Sequence, residues 1–399
     1  MTAPLRNQIL HGDALQRLRD LPDSFADGVI TSPPYFRLRD YGVEGQLGLE
    51  NHVNQWVVEL LAVTRELQRV LVPTGTLWIN LGDSYSTHDR EGAPPKSLLA
   101  APERLLLGLI EQGWRVRNKI VWAKTNPMPT STTDRLATTH EVIYVLARQR
   151  KYFFDLDAIR VPHTSKRGSP LRATVGVNPP GGSPPPKGKL GTASYLGPNA
   201  DTDTGLRSMK ARGLVGHPLG KNPGDVWRIP SSSFRGAHFA TYPEALVERM
   251  VKAGIPEQRC TACRQPWTRP VRRLGATAVR LALRATCPCE AASEPGLVLD
   301  PFLGSGTTAV VAEREHRDWL GIELSAEFVH LAEKRIQSAR GAVARDAGSP
   351  STQRAPNSDR DAEPAPKPDP DPDQEPDNKD TSMSKRKNNN PLPNKGGDT

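Results

Sequence analysis

Two hydrophobic periods alternate along the first 160 residues. Asn7 to Leu10 reads as a short strand. Ala14 to Leu21 has helical apolar spacing, and Gly28 to Thr31 is a second strand, stopped by Ser32-Pro33-Pro34-Tyr35. Val53, Val57, Leu60, Leu61, Thr64, Leu67 and Leu71 share one face of a helix predicted over 51–72. Pro73-Thr74-Gly75 turns the chain into a buried strand, Thr76 to Leu81. Ser97 to Gln112 is a further helix, followed by strands near Trp114–Ala123 and Val142–Ala147. After a gap the periods resume with a helix over Tyr242 to Ala253 and a strand over Gly296 to Leu299. A helix over Thr307 to Glu315, a strand over Trp319 to Ile322 and a last helix over Ala326 to Ala339 complete the pattern. Strands alternating with helices at this pitch predict an α/β layered domain with a mostly parallel sheet.

The gap is compositionally distinct. Residues 163–225 hold twelve Gly, nine Pro and nine Lys/Arg against three Asp/Glu, so they carry a net charge of +6. A loop of that length inside a domain is either functional or flexible. The stretch 341–399 holds no aromatic residue and ten of the 38 prolines, and is expected to be a disordered tail. Its nine Lys/Arg stand against eleven Asp/Glu, so the positive charge of the chain, +9 in all, resides in the remaining 340 residues. A basic body suits an anionic partner, nucleic acid first. No run of 18 apolar residues exists, so a membrane span and secretion are not expected, and the chain reads as cytoplasmic.

Candidate chemistry sits where strands end. Asp300-Pro301-Phe302-Leu303-Gly304-Ser305-Gly306-Thr307 follows an apolar strand and opens a helix. The glycines let backbone approach a ligand, and the helix start offers unpaired N–H groups. Glu323 ends the next strand, where a carboxylate can accept both hydroxyls of a ribose. No Gly-Lys-Ser/Thr follows, which excludes a triphosphate loop. Asp300 would repel a pyrophosphate but suits a cofactor with a free ammonium, such as S-adenosylmethionine; a plain glycine turn beside a surface acid is the alternative. At Ser32-Pro33-Pro34-Tyr35, two prolines make a rigid backbone that presents carbonyls, Ser32 adds an acceptor hydroxyl, and Tyr35 adds an aromatic face. Together they suit a planar base with an exocyclic amine, or else form a Pro-Pro turn with a packed tyrosine.

Ser-Pro-Pro-Tyr at 32–35 with Asp-Pro-Phe-x-Gly-Ser-Gly-Thr-Thr at 300–308 resembles the amino-DNA methyltransferases, which modify cytosine N4 or adenine N6. The blocks Gly12-Asp13, Trp78 to Tyr85, Trp122-Ala123-Lys124 with Asn126-Pro127, His140-Glu141 and His238 to Pro243 follow in family order. The catalytic block precedes the cofactor block, as in the β-class, which implies a circularly permuted, Rossmann-like S-adenosylmethionine-dependent methyltransferase fold. On that resemblance, 1–162 form the catalytic half. Residues 226–256 and 295–340 form the cofactor half, and 163–225 form a target-recognition insert. Asp300, Phe302, Gly304, Ser305, Gly306 and Thr307 would line the methionine side, Glu323 would hold the ribose, and Asp13 would approach the adenine. His238, Tyr242 and Pro243 would close over the cofactor. Ser32, Pro33, Pro34 and Tyr35 would be catalytic. A serine ahead of Pro-Pro-Tyr is typical of cytosine-N4 members, whereas adenine-N6 members usually carry Asp or Asn there. The implied partner is double-stranded DNA, with the target base flipped out, and the implied setting is a restriction-modification system with a cognate endonuclease, or a phage. A catalytically inactive DNA-binding relative is the other-class alternative, against which the intact motifs argue.

All four cysteines fall within thirty residues, as Cys260-x-x-Cys263 and Cys287-x-Cys289. Two close thiol pairs suit tetrahedral zinc, although the second pair is one residue shorter than the usual spacing. Residues 257–294 therefore read as an inserted zinc ribbon. Its Arg259, Arg264, Arg269, Arg272 and Arg273 are candidate DNA contacts.

Overall fold

A computed structural model describes residues 5–163, 217–232, 242–274 and 277–348. Most of the basic insert, the candidate residue His238 and the tail from 349 onward lie outside the described residues. In chain order the elements are β1 (Gln8–His11), α1 (Ala14–Arg19), β2 (Ala26–Thr31), α2 (Val53–Val70), β3 (Leu71–Leu81), α3 (Ala101–Glu111), β4 (Arg115–Lys124), β5 (His140–Ala147) and β6 (Val226–Ile229). They continue with α4 (Glu244–Gly254), β7 (Gln258–Cys260), β8 (Val271–Leu274), β9 (Thr277–Arg280), β10 (Ser293–Pro295), β11 (Leu297–Asp300), α5 (Thr307–Arg314), β12 (Asp318–Glu323) and α6 (Ala326–Gly348). The last helix runs past 341, into the stretch expected to be disordered. Ala342, Ala344 and Ala347 favour helix, and the next proline is Pro350.

Eight strands make one sheet in the order β1-β12-β11-β2-β3-β5-β4-β6. Every neighbouring pair is parallel except those made by β5, which runs against both β3 and β4. Strand alternation divides the core between the two sheet faces. Leu77, Ile79, Leu297, Leu299, Leu320 and Ile322 pack with α1, α2 and α3 on one face. Trp78, Val298 and Trp319 pack with α4, α5 and α6 on the other. Burial on both faces explains why these strands read as continuous apolar runs. Helix α2 also buries Trp56, Val63 and Val70, beyond the face read from the sequence. Among the described residues, no helix is long and apolar enough to cross a membrane.

This topology places the site. The C-terminal ends of seven strands and the N-terminal end of β5 share one edge of the sheet. Along that edge stand, in order, Asp13 after β1, Glu323 on β12, Asp300 on β11, Ser32 after β2, Asn80 on β3, Glu141 on β5 and Lys124 on β4. The first and last of the described strands meet here: among the described residues β1 pairs only with β12, and the Gly12 N–H donates to the Glu323 carbonyl at 2.9 Å.

Candidate active site

The cofactor side is built on the β11–α5 turn. Gly304 and Gly306 have φ of +53° and +83°, backbone that glycine adopts without strain. A side chain on Gly306 would also strike Ala332 of α6. Glu323 is buried, and burial pushes its carboxyl up from the ordinary range. One oxygen accepts from the Gly304 N–H at 2.7 Å and the other from the Ser325 N–H at 2.8 Å. Each oxygen keeps a second lone pair for a ligand hydroxyl. Tyr41 stands near that carboxylate, edge-on to Phe328 with ring centroids 6.0 Å apart.

Three expected cofactor residues take different contacts. The Asp300 carboxylate is only 1% exposed and accepts from Thr31 Oγ1 (2.7 Å), Thr308 Oγ1 (2.6 Å), the Phe302 N–H (3.1 Å) and Tyr242 Oη (3.2 Å). Those four donors fill the lone pairs of a carboxylate, so the direct ammonium contact expected from the sequence has no free acceptor. Asp300 instead ties the cofactor turn to β2. Burial raises its carboxyl, and burial together with Asp300 raises the Tyr242 hydroxyl well above its usual value. Ser305 and Thr307 turn their hydroxyls toward Arg335 Nη1, at 2.6 and 3.2 Å. They hold the turn from behind, leaving their backbone N–H groups without a protein acceptor among the described residues. Phe302 is half-buried at the turn, and Pro243 caps α4 beneath Tyr242. Asp13 caps α1 by accepting from the Gln16 N–H at 2.9 Å.

The catalytic side is a hydrogen-bonded cluster around Tyr35. Its hydroxyl donates to Glu141 Oε2 at 2.7 Å and receives Asn80 Nδ2 at 2.6 Å; Ser32 Oγ lies 3.2 Å away. Asn80 Nδ2 also reaches Glu141 at 2.7 Å, and Lys124 Nζ pairs with the other Glu141 oxygen at 2.6 Å. Burial, then the neighbouring Glu141 charge, raises the Tyr35 hydroxyl well above its usual value, so it keeps its proton. The Pro34 carbonyl is engaged by the Trp56 indole N–H at 2.9 Å, while the Pro33 carbonyl accepts no hydrogen bond among the described residues. Gly82 makes room for the Tyr35 ring, since a Cβ there would fall 2.7 Å from a ring carbon.

Asn80, Lys124 and Glu141 lie inside the sequence blocks noted above but had no role assigned to them. Polar residues at the ends of otherwise apolar strands were the available signal. Asp83 of the same region caps α3, accepting from the Ala100 and Ala101 N–H groups at 2.9 and 3.1 Å.

The four cysteine sulfurs lie within 4.8 Å of one another. Backbone N–H groups of Cys263 and Ala262 bring the Cys260 thiol down to about 7. The ribbon arginines do not form a DNA-facing set as expected. Arg259 is buried against Asp27 at 2.9 Å, Arg264 donates to the Ser24 carbonyl, and Arg269 pairs with Glu257 at 2.6 Å. Each guanidinium found a partner in the protein before it could serve a phosphate. Only Arg272 and Arg273 of the five are exposed.

Comparison with known proteins gives the family. A DNA methylase family pattern, that of the N6/N4 methyltransferases, matches residues 26–334. The chain is 31% identical to the Type II methyltransferase M.Cfr9I of Citrobacter freundii over 364 residues, covering 86% of this chain and 91% of that one. It is 32% identical to M.XycI of Xanthomonas campestris pv. cyanopsidis over the same shares. Among solved structures, the PvuII DNA methyltransferase, described as cytosine-N4-specific, is 18% identical with a TM-score of 0.49, covering 84% of this chain and 92% of that one. The chain belongs to the N6/N4 DNA methylase family and is a DNA methyltransferase of the Type II kind.

Proposed function

We propose that this protein methylates the exocyclic N4 of a cytosine flipped out of double-stranded DNA, with S-adenosylmethionine as methyl donor. The orientation of Ser32 carries the reading. The Tyr35 proton is directed at Glu141, so the Tyr35 oxygen is an acceptor toward Asn80 and Ser32. The Ser32 hydroxyl hydrogen is thereby drawn to Tyr35; Asn80 Nδ2 approaches one side of its oxygen at 3.4 Å, and a lone pair is left to accept from a base amine. The Pro33 carbonyl is the second acceptor. An exocyclic amine is a poor nucleophile because its lone pair is delocalised into the ring. Two neutral acceptors holding its two hydrogens turn that lone pair out of the ring plane without first removing a proton, and the rigid Pro-Pro backbone fixes the alignment.

Glu323, the glycine turn and the free N–H groups of Ser305 and Thr307 fit the ribose and amino-acid ends of S-adenosylmethionine, which supplies an electrophilic methyl group. The target amine is out of reach inside a duplex, so the base is flipped and stacks on Tyr35. A cognate restriction endonuclease completes the system in which such an enzyme works. The test is nucleoside mass spectrometry of DNA from cells expressing the protein. N4-methylcytosine is expected, and it should vanish with Ser32→Ala. N6-methyladenine would overturn the base assignment, and 5-methylcytosine would overturn the mechanism.

A further inference from the structure

Residues 257–294 have almost no core of their own. Among the described ones only Arg259, Cys260 and Pro266 are buried. The segment is nevertheless ordered into two small antiparallel pairs, β7 with β10 and β8 with β9. So small a unit needs a staple other than apolar burial. The cysteines are arranged to supply one. Their four sulfurs converge within 4.8 Å and are all free thiols. Each pair is followed at once by a residue with left-handed backbone, Arg264 (φ +59°) after Cys263 and Glu290 (φ +51°) after Cys289. The first turn is closed by Arg264 N–H to the Cys260 carbonyl and Cys260 N–H to the Gln265 carbonyl, both 2.9 Å. Thr261 joins the two turns by donating N–H and hydroxyl to the Ala292 carbonyl, at 3.0 and 2.9 Å. Four convergent thiolates with tetrahedral reach select zinc over harder cations.

The location assigns the role. The ribbon interrupts the connection from α4 to β11, and in a parallel sheet a helix-to-strand connection lies at the edge opposite the ligands. Arg259 reaches the Phe25 carbonyl and Asp27, Arg264 reaches the Ser24 carbonyl, and Asp27 also accepts the Leu297 N–H at 2.7 Å. All of these lie at the N-terminal ends of β2 and β11. Five residue steps along the strand, roughly 16 Å, separate Asp27 from Ser32. Arg280 secures the outer hairpin to Asp155.

We propose that Cys260, Cys263, Cys287 and Cys289 bind one structural zinc ion, and that the ribbon it closes locks the end of the sheet remote from the catalytic loop and does not read DNA. The ion's ligand Cys260 adjoins Arg259, so the metal holds that guanidinium over Asp27.

The test uses the full-length wild-type chain purified without chelator. Elemental analysis should find about one equivalent of zinc; iron or no metal in folded protein would overturn the site. Stripping the metal with an organomercurial should lower the melting temperature by about 5 °C or more, and an unchanged melt would overturn the structural role. The double variant Arg272→Ala/Arg273→Ala should bind a mixed-sequence DNA duplex within about twofold of wild type at fixed salt. A tenfold loss there would show that the ribbon does contact DNA. None of these readouts depends on which base is methylated.

Discussion

Replacing Arg259 by Met should strand a charge at the bottom of the sheet. The guanidinium is 1% exposed and its Asp27 partner 2%. Removing one member of such a pair costs about 3–5 kcal/mol, because the remaining ion is left uncompensated. The pH dependence separates this from ordinary loss of packing. In the wild type, burial pushes Asp27 up from 3.8 to about 6, with Arg259 opposing it. A carboxyl raised on folding contributes stability that is full below 3.8 and lost as pH rises through about 6, here roughly 3 kcal/mol. Without Arg259 the Asp27 pKa climbs further. The variant therefore regains stability, relative to wild type, by roughly 1.4 kcal/mol per pH unit between its new pKa and the old one as pH falls. Urea unfolding followed by the fluorescence of buried tryptophans such as Trp56 and Trp78 measures this at roughly pH 8 and pH 5.5. The deficit should be large at the higher pH and shrink at the lower. Adding Asp27→Asn to the variant should remove the pH-dependent part. An equal deficit at both pH values would refute the argument, since the missing energy would then not be electrostatic.

Glu323→Ala should weaken S-adenosylmethionine binding by about 30-fold, corresponding to lost charged hydrogen bonds worth roughly 2 kcal/mol; calorimetry showing wild-type affinity would remove the ribose assignment. Gly82→Ala should push the Tyr35 ring out of register and lower turnover about 10- to 100-fold while leaving cofactor affinity intact. Wild-type turnover in that variant would show that the ring position does not matter.

Strands buried on both faces announce themselves as apolar runs, which is why β2, β11 and β12 were legible from sequence to within two residues at either end; β3 instead starts five residues early, at Leu71, and runs through the Pro73-Thr74-Gly75 stretch expected to be a turn, because Leu71 already pairs with Ala26 of β2. Side-chain duty at the site was not legible to the same depth. Asp300 was read from the sequence as a ligand carboxylate, but its partners Thr31 and Tyr242 lie 269 and 58 residues away, and only the fold shows that protein donors occupy it. Glu141 meets Tyr35 because β5 turns back between β3 and β4, a placement that local periodicity does not carry. Arg259 looks like any surface arginine until its partner, 232 residues distant, is brought beneath it. The position of the ribbon was more accessible. It lies between a helix and the following parallel strand, and that order alone puts it at the edge away from the ligands.

The meeting of β1 and β12 has a consequence for biosynthesis. β1 is made about 300 residues before its one sheet neighbour among the described residues, 318–323, and that neighbour must slot between β1 and β11. While the ribosome is still working through the middle of the chain, β2, β3, β4 and β5 can already assemble the cluster of Ser32, Tyr35, Asn80, Lys124 and Glu141. The β11–α5 turn lacks its Glu323 acceptor until β12 emerges. Such long-range closure is slow, so the side of the sheet that carries Glu323 is the late part of the fold, and a product interrupted before residue 318 keeps the Tyr35–Glu141 cluster but has no carboxylate beside the β11–α5 turn.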